Sequence, residues 1–184
     1  MYKIGRYRTK LPIIVLNKYN TNVFTMSFPV YNANQVADWF IANTDYEAGD
    51  TLSHLKLQKL LYYAQAWHYT IHSSPLIGEP FEAWMHGPVV RSVYDRFRDT
   101  LPYSAIDGQS IELNVPGFPP ETEAILQDVK TIYGEHSGAY LENLTHSEDP
   151  WKIARGGLPN HVRCDKEITL ESMKEYYSKL NVEE

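Results

Sequence analysis

The chain has 184 residues, 43% of them hydrophobic, and a formal net charge of −6 at pH 7, which allows one good hydrophobic core and requires no second domain. No stretch approaches the ~18 uninterrupted apolar residues of a membrane span. The lone cysteine, Cys164, excludes an internal disulfide and fits a reducing compartment. We therefore expect a single-domain cytoplasmic protein that is not embedded in a membrane.

Residues 1–25 differ in charge from the rest of the chain. They carry five basic side chains and no acidic one, which leaves 12 basic and 23 acidic residues in the remainder, a net charge of −11. We expect 1–25 to be an extension that is either disordered or precedes the native start at Met26, and 26–184 to be the functional domain. The alternative is a basic arm that contacts nucleic acid or packs against the acidic body.

Apolar residues at helical intervals predict two helices after this extension. Asn34 can cap the first helix, which ends near Asn43, and Thr51 or Ser53 can cap a long second helix that ends at His72. The second helix has one apolar stripe. Several residues are predicted to lie on sides away from that stripe: Lys56, Lys59, Tyr62 and Gln65.

The segment FEAWMH, residues 81–86, alternates aromatic and polar residues and predicts a short strand. The Gly87-Pro88 step predicts a tight bend with proline at the first position of a third helix, Val89 to Asp99. Prolines and glycines in 100–120 predict an irregular connector, with a short strand at SIELNV, residues 110–115.

Helices dominate the remainder of the chain as well. The predicted elements are a helix from Glu121 to an interruption at Gly134, a helix capped by Ser137, a helical turn starting at Asp149-Pro150, an extended segment at 161–168 and a final helix from Leu170 to Leu180. The predicted fold is therefore mainly α: a compact single-domain helical bundle of about five to seven helices with one or two short strands.

Two sets of residues raise the alternative of a metal- or thiol-dependent enzyme. His68 and His72 have the spacing of zinc ligands on a helix, but no third ligand is near in sequence, so a buried, hydrogen-bonded histidine is the preferred interpretation. Cys164 beside Asp165 has no recognisable catalytic signature. We predict no catalytic residue, no metal and no cofactor.

Three segments together resemble the Panacea domain, the SocA-like group of bacterial and phage antitoxins. They are LKLQKLLYYAQAWH (55–68), EAWMHGPVVRSVYDRF (82–97) and LTHSEDPWKIAR (144–155), and the resemblance extends over roughly 33–178. It implies an antitoxin that neutralises a toxin encoded by an adjacent gene, and some related members deliver the toxin to a protease. A DNA-binding regulator of its own operon is a further alternative, which the acidic body disfavours because it repels phosphate.

The second and third segments contain aromatic residues beside rigid turns, a combination typical of protein-binding surfaces. The alternative is that the tryptophans only fill the core. We predict the following residues as partner-binding: Trp84, His86, Gly87, Pro88, Tyr94, His146 and Trp151.

Overall fold

The computed structural model describes residues 28–180, so the predicted extension at 1–25 lies outside the described residues. Within them the domain is mainly α, as predicted, and its small sheet has three short strands, where the sequence predicts one or two. The helices are α1 (Ala33–Ala42), α2 (His54–His72), α3 (Arg91–Phe97), α4 (Pro120–Tyr133), α5 (Gly138–Ser147), α6 (Asp149–Arg155) and α7 (Leu170–Leu180). None of these described helices is long and apolar enough to cross a bilayer.

Helix α2 is the central element of the bundle, and it begins and ends where the sequence predicts. The Ser53 hydroxyl caps it by accepting the Lys56 backbone N–H at 3.2 Å, which satisfies one of the free donors of the first turn. At the other end Ser73 adopts a left-handed conformation with φ 53°. Helices α1, α4, α5 and α7 and the sheet all pack against α2.

The sides of α2 away from its apolar stripe are also buried, whereas the sequence predicts a helix with only one buried face. Lys59, Tyr62 and Gln65 are at most 1% exposed, and only Lys56 among the four predicted residues is partly exposed. The reason is that neighbouring elements surround α2, so that the Lys59 and Gln65 side chains bind the backbone of those elements instead of water.

Helix α1 starts slightly earlier than predicted. Asn32, not Asn34, is the cap: its side chain accepts the Gln35 N–H at 3.0 Å, and the Gln35 side chain accepts the Asn32 N–H at 3.1 Å. This reciprocal pair is a capping box. The Glu79 carboxylate accepts the Ala33 N–H and so ties the start of α1 to the loop before the sheet.

The sheet consists of β1 (Phe81–Trp84), β2 (Gly87–Val90) and β3 (Glu167–Ile168) in the order β2-β1-β3, with both pairings antiparallel. The predicted third helix is wrong at its start, because GPVV forms β2 and α3 begins only at Arg91. Pro88 therefore occupies a strand position opposite Ala83 instead of the first helical position. An edge strand tolerates a proline because its outer side needs no ladder donor.

Two predicted extended segments form less regular structure than expected. Residues 110–115 form no strand, and the Asn114 N–H instead donates to the Asp38 carboxylate at 2.8 Å. Within 161–168 only Glu167 and Ile168 pair with β1. Short extended segments become strands only where a partner strand is available, which the local pattern does not reveal.

An aromatic cluster fills the core between α2, α4 and α7. The rings of Tyr63 and Tyr133 stack at 3.8 Å between centroids, and the Trp67 indole N–H donates to the Tyr133 hydroxyl at 2.9 Å. Tyr177 of α7 packs against Trp67 at 5.1 Å. This cluster lies behind the start of α6 and supports it through Glu148, described below.

Candidate functional site

The β1–β2 hairpin presents Met85 and His86 at the surface as a two-residue turn. Trp84 pairs with Gly87 across the turn, and both turn residues are exposed. Gly87 has φ +89°, a conformation that favours glycine. A Cβ atom at Gly87 would also lie 2.8 Å from Cε of Lys59. The turn therefore rests directly on α2, and a larger residue at Gly87 would both strain and displace it.

Two polar side chains of α2 hold the outer edge of β2. The Gln58 amide accepts the Val90 N–H at 2.9 Å and donates to the Val90 carbonyl at 3.3 Å. The Lys59 Nζ donates to the Pro88 carbonyl at 3.1 Å. Burial lowers the pKa of Lys59 to about 7, although the nearby Glu142 carboxylate acts in the opposite direction. The hairpin is therefore fixed to the bundle by hydrogen bonds as well as by packing.

The imidazole of His86 is oriented by a carboxylate of α5. Its Nδ1 lies 2.9 Å from Oε1 of Glu142, and the two side chains are 55% and 16% exposed, respectively. A carboxylate partner at Nδ1 favours the tautomer with the proton on Nδ1 over the one with the proton on Nε2. The contact with Glu142 thus restricts the orientation of this exposed ring.

Trp84 and Tyr94 form a half-buried aromatic pair next to the turn. Their rings meet edge to face at 4.7 Å. The indole N–H of Trp84 donates to Glu82 Oε2 at 2.7 Å, and the same carboxylate binds Arg91 at 2.7 and 3.1 Å. The Arg91 guanidinium also lies 5.4 Å from the Trp84 ring centre. These contacts fix the tryptophan rotamer while leaving part of the ring exposed.

His54 lies beneath this aromatic pair, at the first position of α2. Its ring is 5.5 Å from that of Tyr94, and the residue is only 4% exposed. Its Nε2 has no hydrogen-bond partner among the described residues. Burial, and secondarily the charge of Lys59, lowers the pKa of His54 to about 4, so His54 is neutral at pH 7 and supports the surface as an apolar ring would.

The turn between α5 and α6 is tied to the hairpin. The His146 ring stacks on Trp151 at 4.1 Å, and the Trp151 indole N–H donates to the Trp84 carbonyl at 3.0 Å. The Arg155 guanidinium lies 4.7 Å from the Trp151 ring centre and donates to the Ala83 carbonyl at 2.8 Å. Segments 82–97 and 144–155, distant in sequence, therefore meet at one place.

The predicted partner-binding residues fall into an exposed layer and a buried layer of this region. His86 is exposed, and Trp84, Tyr94 and His146 are half-buried. We call these four residues together with Met85 the hairpin-tip surface. Gly87, Pro88 and Trp151 are buried, so they support this surface from behind. Partner binding by any of the predicted residues stays a prediction.

Several residues of the site were not identified from the sequence. Met85, Glu142 and Lys59 contribute to the surface or to its support, and none was predicted to do so. The spacing of Glu142 and His146 by four residues on α5 could have indicated a shared face. Lys59 lies in LKLQKLL, residues 55–61, where leucines occur on every side of the helix. This spacing could have indicated that Lys59 is buried.

The residues of the enzyme alternative lie elsewhere. His68 is fully buried, with Nδ1 2.8 Å from the Ser74 carbonyl and Nε2 3.2 Å from the Thr122 hydroxyl, and burial lowers its pKa to about 4. Cys164 is buried near β3. Within residues 28–180 no group of three His, Cys, Asp or Glu side chains is arranged to hold a metal ion.

Glu148, between α5 and α6, links the site to the aromatic core. It is 2% exposed and accepts hydrogen bonds from the hydroxyls of Tyr177 at 2.7 Å and Tyr63 at 3.3 Å. Burial raises its pKa to about 8, and the two hydroxyls only partly oppose that rise. The carboxyl group therefore retains its proton at neutral pH.

Comparison with known proteins supports the resemblance found in the sequence. The family model described as "Antitoxin SocA-like, Panacea domain" matches residues 57–152, which include the hairpin, α5 and the start of α6. The chain is 30% identical over 132 residues to Antitoxin SocA of Caulobacter vibrioides (strain NA1000 / CB15N), an alignment that covers 64% of this chain and 70% of that protein. No solved structure matches the chain. Because the family match covers more than half of the chain and includes every residue of the hairpin-tip surface, the chain belongs to the SocA-like antitoxin family with a Panacea domain.

Proposed function

We propose that this protein neutralises a cognate toxin, encoded by an adjacent gene, by binding it through the hairpin-tip surface. Membership of the SocA-like antitoxin family supports an antitoxin role in general. The observation that carries the proposal is the Trp84–Tyr94 pair beside His86, whose rings are held by Glu82, Arg91 and Glu142. This role is not enzymatic.

The aromatic groups suit binding because they are fixed before any partner arrives. Ordering a flexible side chain at an interface typically costs about 0.5–1.5 kcal/mol. Trp84 and Tyr94 already pack on each other, and His86 is already oriented by Glu142, so most of that cost is absent. Met85, 39% exposed and between Trp84 and His86 in the sequence, adds an adaptable apolar contact.

Charge supports a basic protein as the partner. Residues 26–184 carry 12 basic and 23 acidic side chains, a net charge of −11. Such a body attracts basic proteins and repels nucleic acid, which disfavours the alternative of a DNA-binding regulator. Direct blocking of the toxin and its delivery to a protease are two routes that both begin with this contact.

The first prediction is that His86→Ala and Tyr94→Ala bind the toxin more weakly without losing the fold. Truncating an anchor at the centre of an interface typically costs about 2 kcal/mol or more, roughly thirtyfold in affinity. The measurement is titration of each purified variant with the neighbouring gene's product, together with growth of cells that express both proteins.

Matched controls are His161→Ala, an exposed histidine after α6, and Tyr69→Ala, a partly exposed tyrosine near the far end of α2. Both controls are expected to bind and rescue as the wild type does. Wild-type rescue by stable His86→Ala and Tyr94→Ala variants would refute the proposed surface. Loss of the toxin protein in cells only while a protease is active would assign neutralisation to delivery, whereas a stable, inactive toxin would assign it to blocking.

A further inference from the structure

We propose that Lys59 is a positioning residue for toxin binding: buried beneath the hairpin, it sets the place of the turn that carries Trp84 and His86 without reaching the toxin. The inference rests on the proposed function, because it concerns the same surface. Family membership assigns no such role to this side chain. The sequence predicts it on a side of α2 away from the apolar stripe and assigns it no part in the binding surface.

Lys59 supports the turn by direct contact at two consecutive residues. Its Nζ donates to the Pro88 carbonyl at 3.1 Å. A Cβ atom on Gly87 would lie 2.8 Å from Lys59 Cε and 3.0 Å from Nζ, so the backbone of Gly87 lies against the end of the lysine. The side chain is 0% exposed and cannot itself contact a partner while the hairpin is in place.

The support continues from the backbone of the turn to the side chain of His86. On the α5 side, the Thr145 hydroxyl would lie 2.7 Å from a Cβ at Gly87, and it donates to the Glu142 carbonyl at 2.8 Å. The Glu142 carboxylate in turn holds His86. Lys59 and Thr145 thus hold the turn from two helices, and Glu142 orients the exposed imidazole relative to it.

A lysine is a poor choice for stability at this position. Removing an ammonium group from water is costly, and an apolar residue of similar length, such as methionine, avoids that cost. The fold gains one hydrogen bond from Lys59, to Pro88, and a single hydrogen bond adds only modest net stability. If Lys59 serves to place the turn, removing its amine should weaken toxin binding while changing the stability of the fold little.

The test is Lys59→Met in the full chain. We expect a melting temperature within a few degrees of that of the wild type, because removal of the buried ammonium offsets the loss of the donor to the Pro88 carbonyl. We also expect about tenfold weaker binding to the purified product of the neighbouring gene, since the turn is no longer fixed. Lys56→Met is the matched control: it lies three residues earlier on α2, its Nζ is 3.4 Å from the Thr51 carbonyl, and it is expected to bind as the wild type does.

A spectroscopic readout separates positioning from general stability. The Trp151 indole N–H donates to the Trp84 carbonyl in the hairpin, whereas that of Trp67 donates to Tyr133 in the core. In Lys59→Met the NMR signal of the Trp151 indole N–H should shift and that of Trp67 should not. Unchanged binding by a folded Lys59→Met variant, or a Trp151 signal identical to that of the wild type, would overturn the inference.

Gly87→Ala disturbs the same contact from the other side and keeps Lys59. It should also weaken binding about tenfold and shift the Trp151 signal. If Lys59→Met fails to fold, wild-type binding by Gly87→Ala overturns the inference. If His86→Ala and Tyr94→Ala weaken binding but Lys59→Met does not, the inference fails while the proposed function stands. If none of these variants weakens binding, the proposed surface itself fails.

Discussion

Glu148 carries a proton at neutral pH because it is enclosed by the aromatic core. Its folded-state pKa is raised from 4.5 to about 8 by burial, whereas an unfolded chain ionises the same group near the ordinary value. Between these two values the folded protein binds more protons than the unfolded chain does. The contribution of Glu148 to stability is therefore full below pH 4.5 and is lost as the pH rises to about 8.

Glu148→Gln should remove this pH dependence, because the amide cannot ionise. The free energy of unfolding of the variant, relative to that of the wild type, should rise between pH 5 and pH 8, with a slope of at most about 1.4 kcal/mol per pH unit. Urea unfolding of both proteins at four pH values in this range measures the difference. Glu123→Gln, an exposed position on α4, is the control, and parallel curves for Glu148→Gln and the wild type would contradict the raised pKa.

At the scale of elements, α2 shows which features its own sequence determines. Its start follows from the Ser53 cap, and its main core face follows from the leucine spacing. The start, the end at His72 and this face agree with the prediction. The roles of Gln58, Lys59 and Gln65 depend on backbone groups near residues 77 and 90 that no local pattern brings close. Polar residues on such a helix resemble a solvated face until the partner backbone is known.

The boundary between β2 and α3 was mispredicted for a related reason. Proline is favourable both at the first position of a helix and in an edge strand, so Pro88 fits either assignment. Pairing with β1, at Ala83 opposite Pro88 and Phe81 opposite Val90, selects the strand. The pairing is a tertiary contact, and helix periodicity alone does not reveal it.

Gln65→Leu should destabilise the protein considerably. The Gln65 side chain accepts the Leu76 and Ile77 N–H groups at 2.9 and 2.8 Å and donates to the Ile77 carbonyl at 3.0 Å, all in the interior. Leucine would leave these groups without partners, at a cost of at least about 2 kcal/mol in the free energy of unfolding. Urea denaturation measures this loss, with the exposed Gln127→Leu of α4 as the control. A decrease in the free energy of unfolding equal to that of the control would show that water replaces the hydrogen bonds of Gln65.

At the scale of the whole molecule, the sequence identifies the helical class and two segments that meet in the structure, but not which of their residues are buried and which are exposed. Residues from 82–97 and 144–155 were grouped because both segments pair aromatics with rigid turns, and the structure places them together through the Trp151–Trp84 hydrogen bond. Burial of Trp151 and exposure of Met85 follow from how α6 packs behind the hairpin. That packing is a property of the assembled bundle.

Which part of the chain is needed for folding is also a property of the whole molecule. We propose that residues 26–184 suffice, because the apolar periodicity that predicts the core begins after Met26, and 28–180 supply both the cap of α1 at Asn32 and a continuous hydrophobic core. A protein without residues 1–25 should melt cooperatively, within a few degrees of the full chain, in a thermal unfolding experiment. Loss of a cooperative transition would show that the apolar run LPIIVL, residues 11–16, belongs to the core.

The hydrogen bonds of Gln58 and Lys59 to β2 also bear on whether copies of the protein can associate through the sheet. Unpaired strand edges recruit strands of other chains and promote aggregation. Here Gln58 and Lys59 occupy the Val90 N–H and the Val90 and Pro88 carbonyls, and proline has no N–H to offer. At the other side of the sheet, β3 is only two residues long. The two outer edges of this sheet therefore offer few free backbone groups through which another copy of the chain could pair.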